Sequence, residues 1–232
     1  MTVVLGIDAC PGGWVGIELC GGAFVSAHWG TALETVAGRV PEAPIIAVDI
    51  PLGLLDDRWR EADRAAKAYL GARRSSVFMT PPRAALTEDT HALATARCRD
   101  LTGNGFSIQA WGLKAKLLEA NLLYDSGRYP LREVHPEVSF TAMGLTAPHG
   151  SQKAPHVSKK SWRGQRERLR MLHDNGIDLP DELGIADKVP TDDVLDAGAA
   201  AWSADRIARG QATLLPARPQ LDERRRPVAI WY

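Results

Sequence analysis

The stretch VLGIDACPGGWVG, residues 4–16, decides how the fold is read. An apolar run ends in a carboxylate, Asp8, and Cys10-Pro11-Gly12-Gly13 follows at once. A carboxylate is a poor strand residue and costly to bury, so its place needs a reason. Val3–Asp8 reads as a first strand, Pro11-Gly12-Gly13 as a turn and Trp14–Leu19 as a second strand. Gly21-Gly22 then turns the chain into a third, Ala23–Trp29. Strands alternating with glycine turns form an antiparallel meander.

Working outward, Thr31–Arg39 is expected to be a short helix with Thr31 as its cap. PIIAVDIP, residues 44–51, is an apolar run bounded by prolines and reads as a buried strand. It also ends in an aspartate, Asp49. Helices are expected over Arg60–Leu70, Asp89–Asp100 and Ile108–Asp125, the last being the longest. A further strand is expected at Leu131–Val134. Residues 144–160 lack any period and read as a mobile loop. Lys159–His173 reads as a basic helix, Asp192–Arg209 as an alanine-rich one, and residues 226–232 as a final strand. Three antiparallel strands followed by helix-linked strands predict an α/β fold: a mixed sheet with helices on both faces and extra helices after the fourth strand.

Composition narrows the function classes. The chain has 232 residues, enough for one large domain or one core with an inserted subdomain. Lys+Arg and Asp+Glu are 28 each, so any nucleic-acid contact must be a local patch. Cys10, Cys20 and Cys98 are odd in number and form no CxxC pair, which argues against a disulfide framework or structural zinc. The N-terminus lacks the basic and apolar regions of a signal peptide, and no apolar run nears the ~18 residues of a membrane span. A cytoplasmic protein with reduced thiols and no membrane partner is expected.

The acidic residues carry the strongest signal. Each of Asp8 and Asp49 alone suits the start of a turn. Together they close two apolar strands, and carboxyl ends of neighbouring strands meet at the sheet edge where α/β ligands bind. In TDDVLDAGAAAWSA, residues 191–204, Asp193 and Asp196 are three apart and share a helical face. Thr191 or Asp192 can cap this helix, and acids in its first turn also suit the macrodipole. EVHPEVSF, residues 133–140, adds Glu133, His135 and Glu137, with Pro136 at a first helical position. Converging carboxylates repel one another unless a hard cation such as Mg2+ or Mn2+ lies among them.

Five motifs in order, GIDACPGGWVG, VDIPLGL, LGARRSSVF, EVHPEVSF and DDVLDAGAAAWSA, resemble the family called domain of unknown function 429, whose members are described as predicted nucleases. The layout also resembles the ribonuclease H-like superfamily, most of all its Holliday-junction-resolvase branch. The resemblance spans nearly the whole chain. It implies one ribonuclease H-like domain over residues 1–232, a five-stranded sheet in the order 3-2-1-4-5, and a helical insertion at about 56–128. It places metal-ligand roles on Asp8, Asp49, Asp193 and Asp196; Glu133 and Glu137 match the family's own extra motif, which assigns them no role, and Glu133 is expected here as a further metal ligand. The resolvase branch usually has Glu where this chain has Asp49, which is one methylene shorter.

The implied activity is Mg2+- or Mn2+-dependent hydrolysis of phosphodiester bonds in DNA or RNA by a two-metal mechanism. Asp8, Asp49, Asp193, Asp196 and Glu137 would be catalytic. Arg73, Arg74, Ser75, Ser76 and Arg83, with His135, are expected to hold substrate phosphates. KKSWRGQRERLR, residues 159–170, has six basic residues and one acid and could line a nucleic-acid backbone. Aromatic residues are few and dispersed, so no stacking platform is expected. No GxxxxGK[ST] or GxGxxG stretch supports a nucleotide loop, and nothing favours a nucleophile pair of Ser75 or Cys10 with His135. Other readings are a small-ligand (nucleotide or phosphate) binder, as the sugar-kinase and actin-like ATPases suggest, or a non-catalytic interaction module.

Overall fold

The computed structural model describes residues 1–146, 155 and 157–232. The expected loop at 144–160 falls largely on residues 147–154 and 156, which lie outside the described residues. The chain opens with β1 (Val3–Cys10), β2 (Gly13–Cys20), β3 (Ala23–Gly30), α1 (Leu33–Ala37) and β4 (Ile46–Val48). Then come α2 (Glu61–Leu70), α3 (Arg83–Leu86), α4 (His91–Thr102), α5 (Ile108–Gly112) and α6 (Lys114–Ser126). β5 (Leu131–Glu133), α7 (Pro136–Thr146), α8 (Trp162–Asp174), α9 (Thr191–Ala208), β6 (Leu214–Leu221) and β7 (Pro227–Trp231) complete the order. Contacts divide these into two compact units, residues 1–50, 127–213 and 231–232 in one, and 51–126 with 214–230 in the other.

The first unit holds the five-stranded sheet, in the expected order β3-β2-β1-β4-β5. β1, β4 and β5 are parallel, whereas β1–β2 and β2–β3 are antiparallel hairpins. Both hairpins close in two residues. Pro11-Gly12 forms the first, with Gly12 at φ 77°. Gly21 and Gly22 form the second, both at positive φ, as a type I′ turn requires.

Helices cover both faces of this sheet. Leu5 and Gly16 lie against Val36 of α1 on one face. Gly6 lies against α9 on the other. A Cβ on Gly6 would sit 1.9 Å from the backbone nitrogen of Ala201 and 2.5 Å from the Ala197 carbonyl oxygen. α9 can come this close because Ala197–Ala201 are all small and buried. α7 and α8 pack against α9 in turn.

The second unit holds α2–α6 with the hairpin of β6 and most of β7. Arg60, 1% exposed, lies 3.2 Å from the Asp63 carboxylate and donates to the Thr80 hydroxyl. Asn121 accepts from the Gly53 amide and donates to the Pro51 carbonyl.

Several elements differ from the sequence reading. The strand expected over 44–51 contracts to Ile46–Val48, although the Asp49 amide still donates to the Ile7 carbonyl at 2.9 Å. The long helix expected over Ile108–Asp125 breaks at Leu113 into α5 and α6, so α9 is the longest helix among the described residues. Neither Thr31 nor Thr191 caps: α1 and α9 start after Ala32 and Pro190, without a side-chain cap. β6 was not expected, because Pro216 and Pro219 interrupt it and proline is a poor ladder residue. It forms as one of only two strands in its sheet. The basic helix starts at Trp162, capped by the Ser161 hydroxyl on the Gly164 amide, which leaves Lys159 outside it.

Gly6→Ala is expected to destabilise the fold by about 3 kcal/mol or more, since the atom it adds meets backbone rather than a yielding side chain. For a chain of this size that is a fall in Tm of roughly 6–12 °C. Gly112→Ala, where nothing lies within 4 Å of the added carbon, should leave Tm nearly unchanged. Thermal melts of the two variants decide it, and equal stability would contradict the tight β1–α9 contact.

Candidate metal centre

Three elements of the first unit deliver carboxylates to one place. Asp8 is the sixth residue of β1 and shares the face of Gly6, toward α9. Asp49 follows β4, whose register sets Val48 beside Ile7 and so Asp49 beside Asp8. Asp196 precedes Ala197, the residue whose carbonyl meets Gly6. One oxygen from each of Asp8, Asp49 and Asp196 lies within 4.8 Å of the others. Asp8 is 5% exposed and Asp196 2%.

Asp8 Oδ1 accepts from the Ala9 amide at 2.8 Å, and the Asp8 and Asp49 carboxyl groups share a hydrogen bond. Lys159 donates to Asp196 Oδ2 and lies 3.9 Å from Asp192 Oδ2. Asp196 Oδ1 is buried and accepts no hydrogen bond among the described residues.

Burial raises all of these acids, and their mutual repulsion adds to it. Asp8 is pushed well above the ordinary carboxylate range by burial, then by Asp49 and Asp196. Asp49 and Asp196 rise to about 7, chiefly by burial, with Lys159 opposing. Asp193, one turn before Asp196, rises to about 6 by burial and by Asp192. Burial acts to lower Lys159, but Asp196, Asp8 and Asp49 outweigh it and hold the ammonium firmly protonated.

The donor set suits a hard divalent cation. All three ligands are carboxylate oxygens, which Mg2+ and Mn2+ favour. Ligands ~2.1–2.5 Å from one ion can lie up to about 4.2–5 Å apart, which covers the observed spacing. Asp196 Oδ1, buried and accepting no hydrogen bond among the described residues, is an acceptor open to such an ion. A cation would displace the protons that burial keeps on these groups.

The other expected residues are placed differently. Asp193 is close enough to raise Asp8 and Asp49 but is not in the 4.8 Å group. Glu137 is buried, and the fully buried Arg168 donates to its Oε1 at 2.6 Å; its charge is felt by Asp49 and Asp196. Glu133 aligns with Val48 and Ile7, which puts it on the opposite sheet face from Asp8 and Asp49. The His135 carbonyl receives the amides of Val138 and Ser139 at the start of α7.

Arg73, Arg74, Ser75 and Ser76 form a 3-10 turn in the second unit, where the Ser76 hydroxyl donates to the Arg73 carbonyl. Arg83 belongs to the same unit and lies 3.5 Å from Asp56 and 3.4 Å from Asp125.

Two participants were missed in the sequence, Lys159 and Arg168, both read as part of a basic helix that could line a nucleic-acid backbone. The Ser161 cap was the available signal for Lys159. For Arg168 it was the i, i+4, i+8 series Gly164, Arg168, Leu172, which marks an inward stripe and whose members are all buried.

A family model described as Protein of unknown function (DUF429) matches residues 6–221. No curated protein and no solved structure matches the chain.

Two outcomes follow from these charges. Asp49 and Asp196 take up protons near pH 7 in the folded chain, against about 4 when unfolded. Between those values the folded state holds more protons, so these groups lower stability as pH rises toward 7, and the effect levels off above it. The metal-free protein should therefore lose Tm between about pH 4 and pH 7 through these groups, and Asp196→Asn should flatten the fall. A wild type and variant with identical profiles would contradict this. Lys159→Met should cost about 1–2 kcal/mol without metal, less than the ~3–5 of a fully buried pair because the ammonium is one-third exposed. Added Mn2+ should restore most of that loss, as melts with and without the ion would show.

Proposed function

We propose that this chain, which belongs to the DUF429 family, is a divalent-metal-dependent phosphodiesterase acting on nucleic acid. The observation that carries this reading is the convergence of Asp8, Asp49 and Asp196 within 4.8 Å at the carboxyl edge of parallel strands, with Asp196 Oδ1 buried and accepting no hydrogen bond among the described residues. Asp8, Asp49 and Asp196 would hold Mg2+ or Mn2+, with Asp193 beside them. When bound, such an ion lowers the pKa of a water and stabilises charge on phosphoryl oxygens.

The chain's own groups have definite parts. The carboxyl groups of Asp49 and Asp196 give up their protons near neutrality, and Asp8, raised well above the ordinary carboxylate range, would release its proton to an entering cation. Arg168 fixes one oxygen of Glu137 and so holds a further buried carboxylate whose charge reaches Asp49 and Asp196. Lys159, protonated throughout this range, offers a positive charge to a phosphate that displaces it from Asp196.

A second reading, a nucleotide- or phosphate-binding protein without catalysis, draws on the same lysine. Lys159 already supplies a cation to Asp196 and so partly fills the role of a metal.

Cleavage of labelled single-stranded, duplex and branched DNA and RNA in Mn2+ separates the two. The first reading expects cleavage abolished by EDTA and reduced at least ~100-fold in Asp8→Asn and Asp49→Asn, with the variants still folded. A wild type that binds Mn2+ and cuts none of these substrates supports the second reading.

A further inference from the structure

α8 has two contrasting sides. Its inner side is tied to the acidic centre, through Arg168 to Glu137 and, three residues before its start, through Lys159 to Asp196. Its outer side carries Trp162, Arg163, Arg166 and Arg170, which helical spacing gathers onto one arc. Trp162 is 76% exposed, a large apolar side chain left in water. The Arg166 guanidinium lies 5.7 Å from the centre of its ring. These residues and Glu167 line a pocket of about 320 Å³, so three guanidinium groups face one carboxylate.

We propose that this outer side of α8 binds single-stranded nucleic acid, one base stacking on Trp162 and the neighbouring phosphates lying on Arg163, Arg166 and Arg170. The proposal rests on the reading that the chain acts on nucleic acid, and it names the form of the substrate. Arginine supplies paired donors for phosphate oxygens, and an indole offers a flat face to any base. Bases in a duplex hide their faces against one another, so a stacking indole selects an unpaired strand. An apolar protein partner would want apolar neighbours around the tryptophan; here guanidinium groups surround it. Along the chain Trp162 stands three residues after Lys159, which donates to Asp196.

The test is fluorescence anisotropy of a labelled twenty-nucleotide thymidine strand and of a duplex of equal length, with wild-type protein in EDTA at low salt. Wild type should bind the single strand at least tenfold more tightly than the duplex. Trp162→Ala should weaken single-strand binding about tenfold and Trp162→Phe much less. Arg166→Gln with Arg170→Gln should lower the slope of log affinity against log salt by about 1.4, two contacts at ~0.7 each. Equal binding of both forms, or single-strand binding unchanged in both the Trp162→Ala and the double arginine variants, would overturn the proposal. Because EDTA removes cleavage from the assay, single-strand binding without Mn2+-dependent cutting would reject the catalytic reading alone. Cutting with unaltered binding in these variants would reject this one alone.

Discussion

The contact of α9 with Gly6 is the constraint on which the rest of the site depends. A single methyl group on that residue would collide with the backbone at Ala197 and Ala201. Its absence lets an alanine-rich helix lie directly on β1. That approach carries Asp196 to the carboxyl ends of β1 and β4, where Asp8 and Asp49 wait. Van der Waals packing between the smallest side chains thus enforces an electrostatically unfavourable meeting of three acids. Burial of the small side chains of α9 holds it in place against their repulsion.

What balances that repulsion is partly internal. Lys159 gives Asp196 one cation, and burial favours the protonated form of these acids in the metal-free chain. The arrangement therefore gathers three carboxylates within 4.8 Å, one of them with a buried oxygen that accepts no hydrogen bond among the described residues, beside a lysine on its other oxygen. Glu137 is handled differently, since Arg168 neutralises it inside the protein. Asp196 and Glu137 occur in equally suggestive motifs, yet Asp196 helps to form the cluster and Glu137 is held by a buried guanidinium.

Much of this was legible from residue patterns, for physical reasons that differ by element. The meander was legible because Gly12, Gly21 and Gly22 occupy the positive-φ positions that tight hairpins demand. Asp8 and Asp49 were legible because acids interrupt otherwise apolar runs. Asp196 stood out as an acid on a small-residue helix. β6 was hidden because two prolines make its sequence read as loop. The face of Glu133 depends on the β4–β5 register, which no local pattern fixes. Lys159 and Arg168 were hidden by their neighbours: in a run of six basic residues nothing in composition tells the two that turn inward from those that face water. The exposed Trp162 was likewise visible only as one of a few scattered aromatics until α8 set it among arginines.

The most direct measurement is a crystal of the protein grown with Mn2+ and examined by anomalous scattering at the manganese edge. An anomalous peak ~2.0–2.5 Å from oxygens of Asp8, Asp49 and Asp196, with Lys159 turned away from Asp196, is the result that the structure leads us to expect. A map without a peak among these three carboxylates, with Lys159 still bound to Asp196 at saturating Mn2+, would contradict it.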